Sequence, residues 1–212
     1  MNAGPETQLD AVNSRGVGVR VALRRIGDRF AHTISGIRRD RIDAIVESVE
    51  DADYQGWPLS PPLQELRDLT DAAGNHSLLL LGSAAYGHWS ATIRSARSAH
   101  FAKEDPYLEF DIAVRLHRAP AYLGIAYQAV TDASWLEMPS GLTFAKRGPH
   151  AMGISAPLNE AVAFSTPPSD LLKAFVGETS PTRRVFLPAT PLPGNYPATY
   201  RWRYWIAAAL SK

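Results

Sequence analysis

The chain has 212 residues and a formal net charge of +1, with 45% hydrophobic and 20% charged residues. That composition suits one globular domain and excludes a disordered chain, while the balanced charge offers no global pull toward nucleic acid or anionic membrane. The absence of cysteine excludes disulfides, thiolate nucleophiles, iron–sulfur clusters and sulfur-bound structural zinc.

Sixteen prolines and fifteen glycines spread along the sequence favour many short strands over a few long helices. Met1 to Gly16 is polar and aperiodic and is expected to be a disordered tail, leaving residues 17–212 as a single β-rich domain. Nothing in that tail resembles a signal peptide, and no apolar run is long enough to cross a bilayer, so a soluble, cytoplasmic chain is expected.

Val17 to Arg24 alternates cleanly, with Val17, Val19, Val21 and Leu23 on one side and Arg20 and Arg24 on the other, which predicts a strand with one buried face. Phe30 to Ile37 and Arg41 to Val49 read as two further strands. The second also fits helical spacing, but its β-branched residues favour a strand. Asp51 to Pro62 reads as a loop. Its Trp57 and Pro58 to Pro62 suggest either a rigid recognition element or a crossing over the end of the fold. Leu63 to Leu69 and Ser77 to Leu81 flank a glycine-containing turn and predict a hairpin.

Gly82 to Gly87 follows an apolar strand and mimics a dinucleotide-binding turn, but His88 to Ile93 then alternates like a strand. Without a helix to supply positive dipole, the segment reads as a strand kinked at its glycines. Tyr107 to Leu116 is the clearest strand, and Tyr122 to Val130, apolar on both faces, suggests a central one. Leu142 to Lys146, Ala161 to Phe164, Arg184 to Leu187 and Thr199 to Ala208 follow as strands, and Ser169 to Val176 is the one helix expected. The total is about ten strands, which means an all-β, mainly antiparallel fold, either a β-sandwich or a closed β-barrel.

No P-loop, zinc-protease or nucleophile-elbow signature is present, so no catalytic residue is assigned and an enzyme is the less favoured reading. His32, His88 and Asp111 could form a two-histidine, one-carboxylate site if their strands met, although strand histidines are more often hydrogen-bonded on a sheet face. No metal and no cofactor are therefore assigned. Glu109 and Asp111 share a strand face and could work as an acid–base pair. A solvated face with Arg115 as local partner is favoured instead.

In the last strand Tyr200, Trp202, Tyr204 and Ile206 share one face, opposite Arg201, Arg203 and Trp205. That pattern fits a core face backed by a solvated one, and otherwise a ligand or partner surface. Tyr86, His88, Ser90 and Thr92 form a polar, uncharged set of the kind that lines a barrel lumen or cleft floor. Tyr86, His88, Ser90, Trp202 and Tyr204 are accordingly the candidate ligand-binding residues. A binding or interaction domain is the expected function, with a small enzyme or small-molecule carrier and a structural subunit as alternatives. A protein partner or self-association is favoured over nucleic acid, a small-molecule ligand stays open, and no membrane is expected.

Overall fold

The computed structural model describes residues 6–39, 41–50, 58–84, 86–97, 106–120, 123–130, 134–137, 143–147, 150–155, 184–189 and 195–209. These hold fourteen strands: β1 (Thr7–Val12), β2 (Val17–Ile26), β3 (Arg29–Arg38), β4 (Arg41–Ser48), β5 (Glu65–Thr70), β6 (His76–Ala84), β7 (Gly87–Arg97), β8 (Pro106–Leu116), β9 (Leu123–Ala129), β10 (Ser134–Glu137), β11 (Thr143–Arg147), β12 (His150–Ser155), β13 (Arg184–Ala189) and β14 (Ala198–Ala209). No helix occurs among the described residues, and the helix and strand expected at 169–176 and 161–164 lie outside them.

The strands form two antiparallel sheets, one ordered β1-β2-β3-β4-β9-β13 and the other β10-β11-β12-β14-β8-β7-β6-β5. Among the described residues neither sheet closes on itself, so the layers pack as a sandwich-like pair, with β2 lying over β8 and β14. The strict alternation of β8 explains the layering. Leu108, Phe110, Ile112, Val114 and Leu116 are all at most 1% exposed, while their neighbours turn to the other face. Val19, Val21, Leu23 and Ile34 meet them from the first sheet, and Trp89, Ala91, Ile93, Trp202, Tyr204 and Ile206 extend the same buried layer.

The first sixteen residues are not a disordered tail throughout. Thr7–Val12 pairs with β2 from Thr7↔Leu23 to Val12↔Gly18, burying Leu9 and Ala11, and the cross-strand pair Asp10–Arg20 closes in an ion pair at 2.7 Å. Only two apolar side chains carry this strand, which is too faint a period to read from the sequence.

Residues 58–63 are buried and span the layers at one end. Phe30 N donates to Leu63 O at 2.7 Å on one side, and Gln64 N donates to Leu81 O at 2.7 Å on the other. The proline run therefore crosses the end of the fold instead of standing out as a recognition element. Trp57 lies outside the described residues. Gly82 permits this crossing, since a Cβ there would sit 1.8 Å from Pro62 O, an overlap that only backbone movement relieves. The Gly82–Gly87 segment that mimics a cofactor turn is a hairpin end: Gly82 pairs with Trp89 and Ala84 with Gly87.

Two substitutions test these features in urea unfolding. Gly82→Ala is expected to cost about 3 kcal/mol, the upper range of overpacking because backbone is the obstacle. Leu9→Ala is expected to cost about 2–3 kcal/mol, and a neutral result would show that β1 does not contribute to the core.

Candidate functional site

The inner face of the first sheet carries polar groups where β8 carries none. On β3 the inward positions run Phe30, His32, Ile34, and on β4 and its continuation they run Val46, Ser48, Glu50. Ser48 lies opposite Tyr127 of β9, and Tyr127 is fully buried. These residues connect. Ser48 Oγ accepts from the backbone N–H of His32 at 2.9 Å and donates to Glu50 Oε1 at 2.8 Å. His32 Nε2 lies 2.7 Å from the Tyr127 hydroxyl, which lies 2.8 Å from the Tyr204 hydroxyl on the opposite sheet.

Burial holds the His32 imidazole neutral, pushing its pKa down to about 3. A neutral ring accepting at Nε2 lets Tyr127 donate to it and Tyr204 donate to Tyr127, the one direction that uses both hydroxyl protons. Burial likewise raises both phenols above their usual range, so they remain protonated donors. Phe110 stacks on Tyr204 with ring centroids 4.7 Å apart and packs against His32 at 5.6 Å, locking the rings in place.

Glu50 stands at the outer end of this set. Its residue is half-buried, yet Oε2 is shut off from solvent and has no hydrogen-bond partner. Burial pushes the carboxyl up to about 7, against the opposing pull of the Ser48 hydroxyl and the Arg29 guanidinium. Arg29 itself is buried and paired with Asp28 at 2.9 Å. Beside Glu50 opens a cleft of about 340 Å³, bordered among others by Arg24, His32, Thr33, Glu47, Ser48 and Gln128. The cleft is therefore bordered by the Glu50 carboxyl, by hydroxyl and amide groups, and by a guanidinium at its margin. That donor and acceptor set can orient a small polar molecule.

The residues expected to bind a ligand do not converge. Trp202 and Tyr204 point between the sheets and are core residues, Trp202 edge-on to Trp89 at 6.4 Å. Their face fills the interior, as the first of the two readings of the last strand has it. His88 is exposed and Ser90 half-buried on the outer face of the second sheet, so they line neither a lumen nor a cleft floor. Tyr86 leaves that face altogether: it occupies the hairpin turn at φ 56° with its ring under the Arg118 guanidinium at 3.9 Å.

The metal arrangement considered for His32, His88 and Asp111 is also overturned, because His32 faces inward and the other two face outward on the far sheet. No group of three or more potential ligands gathers among the described residues. Glu109 and Asp111 do share the outward face, but both carboxylates are covered instead of solvated, and their partners are Arg94 and Trp205 for the first and Arg201 and Arg203 for the second, not Arg115.

Sequence reasoning missed Glu50, Ser48 and Tyr127. The available signal was positional: Glu50 continues the inward parity of Val46 and Ser48, where an acid is out of place on an apolar face. Comparison with protein-family models, with curated proteins and with solved structures found no match.

The two shifted groups act oppositely on stability. Glu50, raised in the folded state, favours folding below its unfolded value near 4.5 and loses that contribution as pH rises through about 7. His32, lowered in the folded state, contributes above 6.5 and loses its contribution as pH falls toward 3. Glu50→Gln should therefore remove the decline between pH 4.5 and 7 and raise stability at pH 8, by up to about 3 kcal/mol. Denaturant titrations at several pH values check this, and an unchanged pH profile would refute the buried-carboxyl assignment.

Proposed function

We propose that this chain is a binding domain whose ligand is a small polar molecule seated in the cleft beside Glu50. The observation that carries the reading is Glu50 Oε2, a carboxyl oxygen withdrawn from water and left without a partner. Such an atom costs about 1–3 kcal/mol unless something bonds to it, and natural proteins leave few of them. A ligand N–H or O–H supplies that bond once the Glu50 side chain turns Oε2 toward the cleft that it borders. Arg24, Thr33 and Gln128 border the same cleft and can hold the ligand's remaining polar groups.

The neutral His32–Tyr127–Tyr204 chain supports binding more than catalysis. Each member is fixed by packing, and each hydroxyl proton is already used. The alternative of a small enzyme rests on one feature, a carboxyl poised near 7 at a cleft wall, which is the protonation balance that acid–base catalysis employs. A structural subunit draws little support: among the described residues only Ile42 and Leu69 are large apolar side chains left exposed. Among those residues, too, no helix is long and apolar enough to cross a membrane.

Native mass spectrometry of the chain purified from its own host should show an adduct above the 23.2 kDa bare mass that is lost on denaturation. Glu50→Gln should lose the adduct while keeping the fold. A ligand present at about 100 times its dissociation constant should raise wild-type stability by about 2.7 kcal/mol. A bare mass, together with no thermal shift across a panel of polar metabolites, would overturn the reading.

A further inference from the structure

The outward face of β7, β8 and β14 is built in rows of side chains set by strand register. Arg94, Glu109 and Trp205 form the first row, and Thr92, Asp111 and Arg203 the second. Ser90, Ala113 and Arg201 form the third, and His88, Arg115 and Thr199 the fourth. Each row carries one arginine. Rows lie two residues apart, about 7 Å, so the four arginine backbone positions extend over roughly 20 Å. Against four arginines stand only Glu109 and Asp111.

Those two carboxylates act as anchors for the arginines. Asp111 accepts from both Arg201 and Arg203, and Glu109 accepts from Arg94 and, at 3.2 Å, from the Trp205 indole N–H. Burial opposes ionisation of Asp111, yet the two guanidinium groups still hold its carboxyl below the usual range, so it stays charged and keeps them oriented. The arginines remain open to solvent nonetheless: Arg201 is 58% exposed, Arg94 49% and Arg203 42%. Arg115 is exposed with no ion pair among the described residues, and His88, opposite it in register, sits edge-on to His117 with ring centroids 5.8 Å apart.

We propose that this face binds single-stranded nucleic acid, its arginines tracking the phosphates and Trp205 and His88 offering rings to the bases. The cations are strung along a line rather than gathered at a point, which fits a polyanion and not a single small anion. An extended acidic peptide fits less well. Peptides laid on sheets gain affinity by adding a strand to an open edge, whereas β7 and β8 are paired on both sides and β14 is so paired from Trp205 to Ala207. A nucleic acid strand needs no edge, because salt-bridging arginines and flat rings supply its affinity. The overall charge of only +1 does not oppose this, since the excess is local to one face.

The test is fluorescence anisotropy with a fluorescein-labelled oligothymidylate about 20 nucleotides long, which spans the face with length to spare. Wild-type protein should bind saturably at about 50 mM salt and much more weakly at about 200 mM. Arg115→Gln breaks no ion pair and should keep the melting profile, while lowering the slope of log affinity against log salt by about one. Trp205→Ala should weaken binding about tenfold with little change in that slope. Absence of binding at about 100 µM protein in low salt would overturn the proposal. So would an unchanged slope for Arg115→Gln, or displacement of the oligonucleotide by polyglutamate at equal charge concentration.

Discussion

The hydroxyls of Tyr127 and Tyr204, 2.8 Å apart, join the two sheets across a mostly apolar core. Their position is constrained from both sides. Tyr204 is stacked on Phe110 in one layer, and Tyr127 is bonded to His32 in the other. Two buried phenols and a buried imidazole would each be costly alone, and as a chain they satisfy one another. This chain fixes how the layers face each other, because sliding either sheet by one residue, about 3.3 Å, would carry the two hydroxyls out of hydrogen-bond reach.

The same constraint accounts for the cleft. With His32 committed to Tyr127, the groups at the end of β4 must find partners elsewhere. Ser48 divides its hydroxyl between the His32 backbone and Glu50, and Glu50 is left with one oxygen unsatisfied. The buried segment 58–63, pinned to Phe30 and Leu81, closes the layers near this end. Polar interior and cleft are thus two parts of one arrangement, and the neutral imidazole and near-neutral carboxyl follow from a shared lack of water.

The second sheet separates its two faces more cleanly. β8 and β14 present apolar and aromatic residues inward, and outward they carry a lattice in which Glu109 and Asp111 hold arginines upright. Exposed ion pairs of this kind contribute little to stability, about 0–1 kcal/mol each. Their consequence lies in shaping a positively charged surface. The first-sheet cleft and the second-sheet outer face are therefore chemically distinct, one a cleft bordered by charges of both signs, the other an open face with an excess of arginine.

Alternation along β2, β7, β8 and β14 determined, from the sequence alone, that these segments are strands with one buried face, because a period of two has no other physical source. It likewise determined the hairpin ending at Asn75 and the failure of Gly82–Gly87 as a cofactor turn. What it could not supply is which strands sit side by side. β1, with two buried apolar residues, becomes a strand only because β2 offers a ladder, and β12 is defined by pairing with β14. The same holds for the site. Tyr204 and Trp202 read as ligand-facing only until the opposite sheet is placed over them. Glu50 reads as an ordinary charge until Ser48, Arg29 and the cleft wall surround it. Local pattern fixes which way a side chain points, but burial and hydrogen-bond supply are properties of elements far apart in the chain, and only the tertiary structure brings them together.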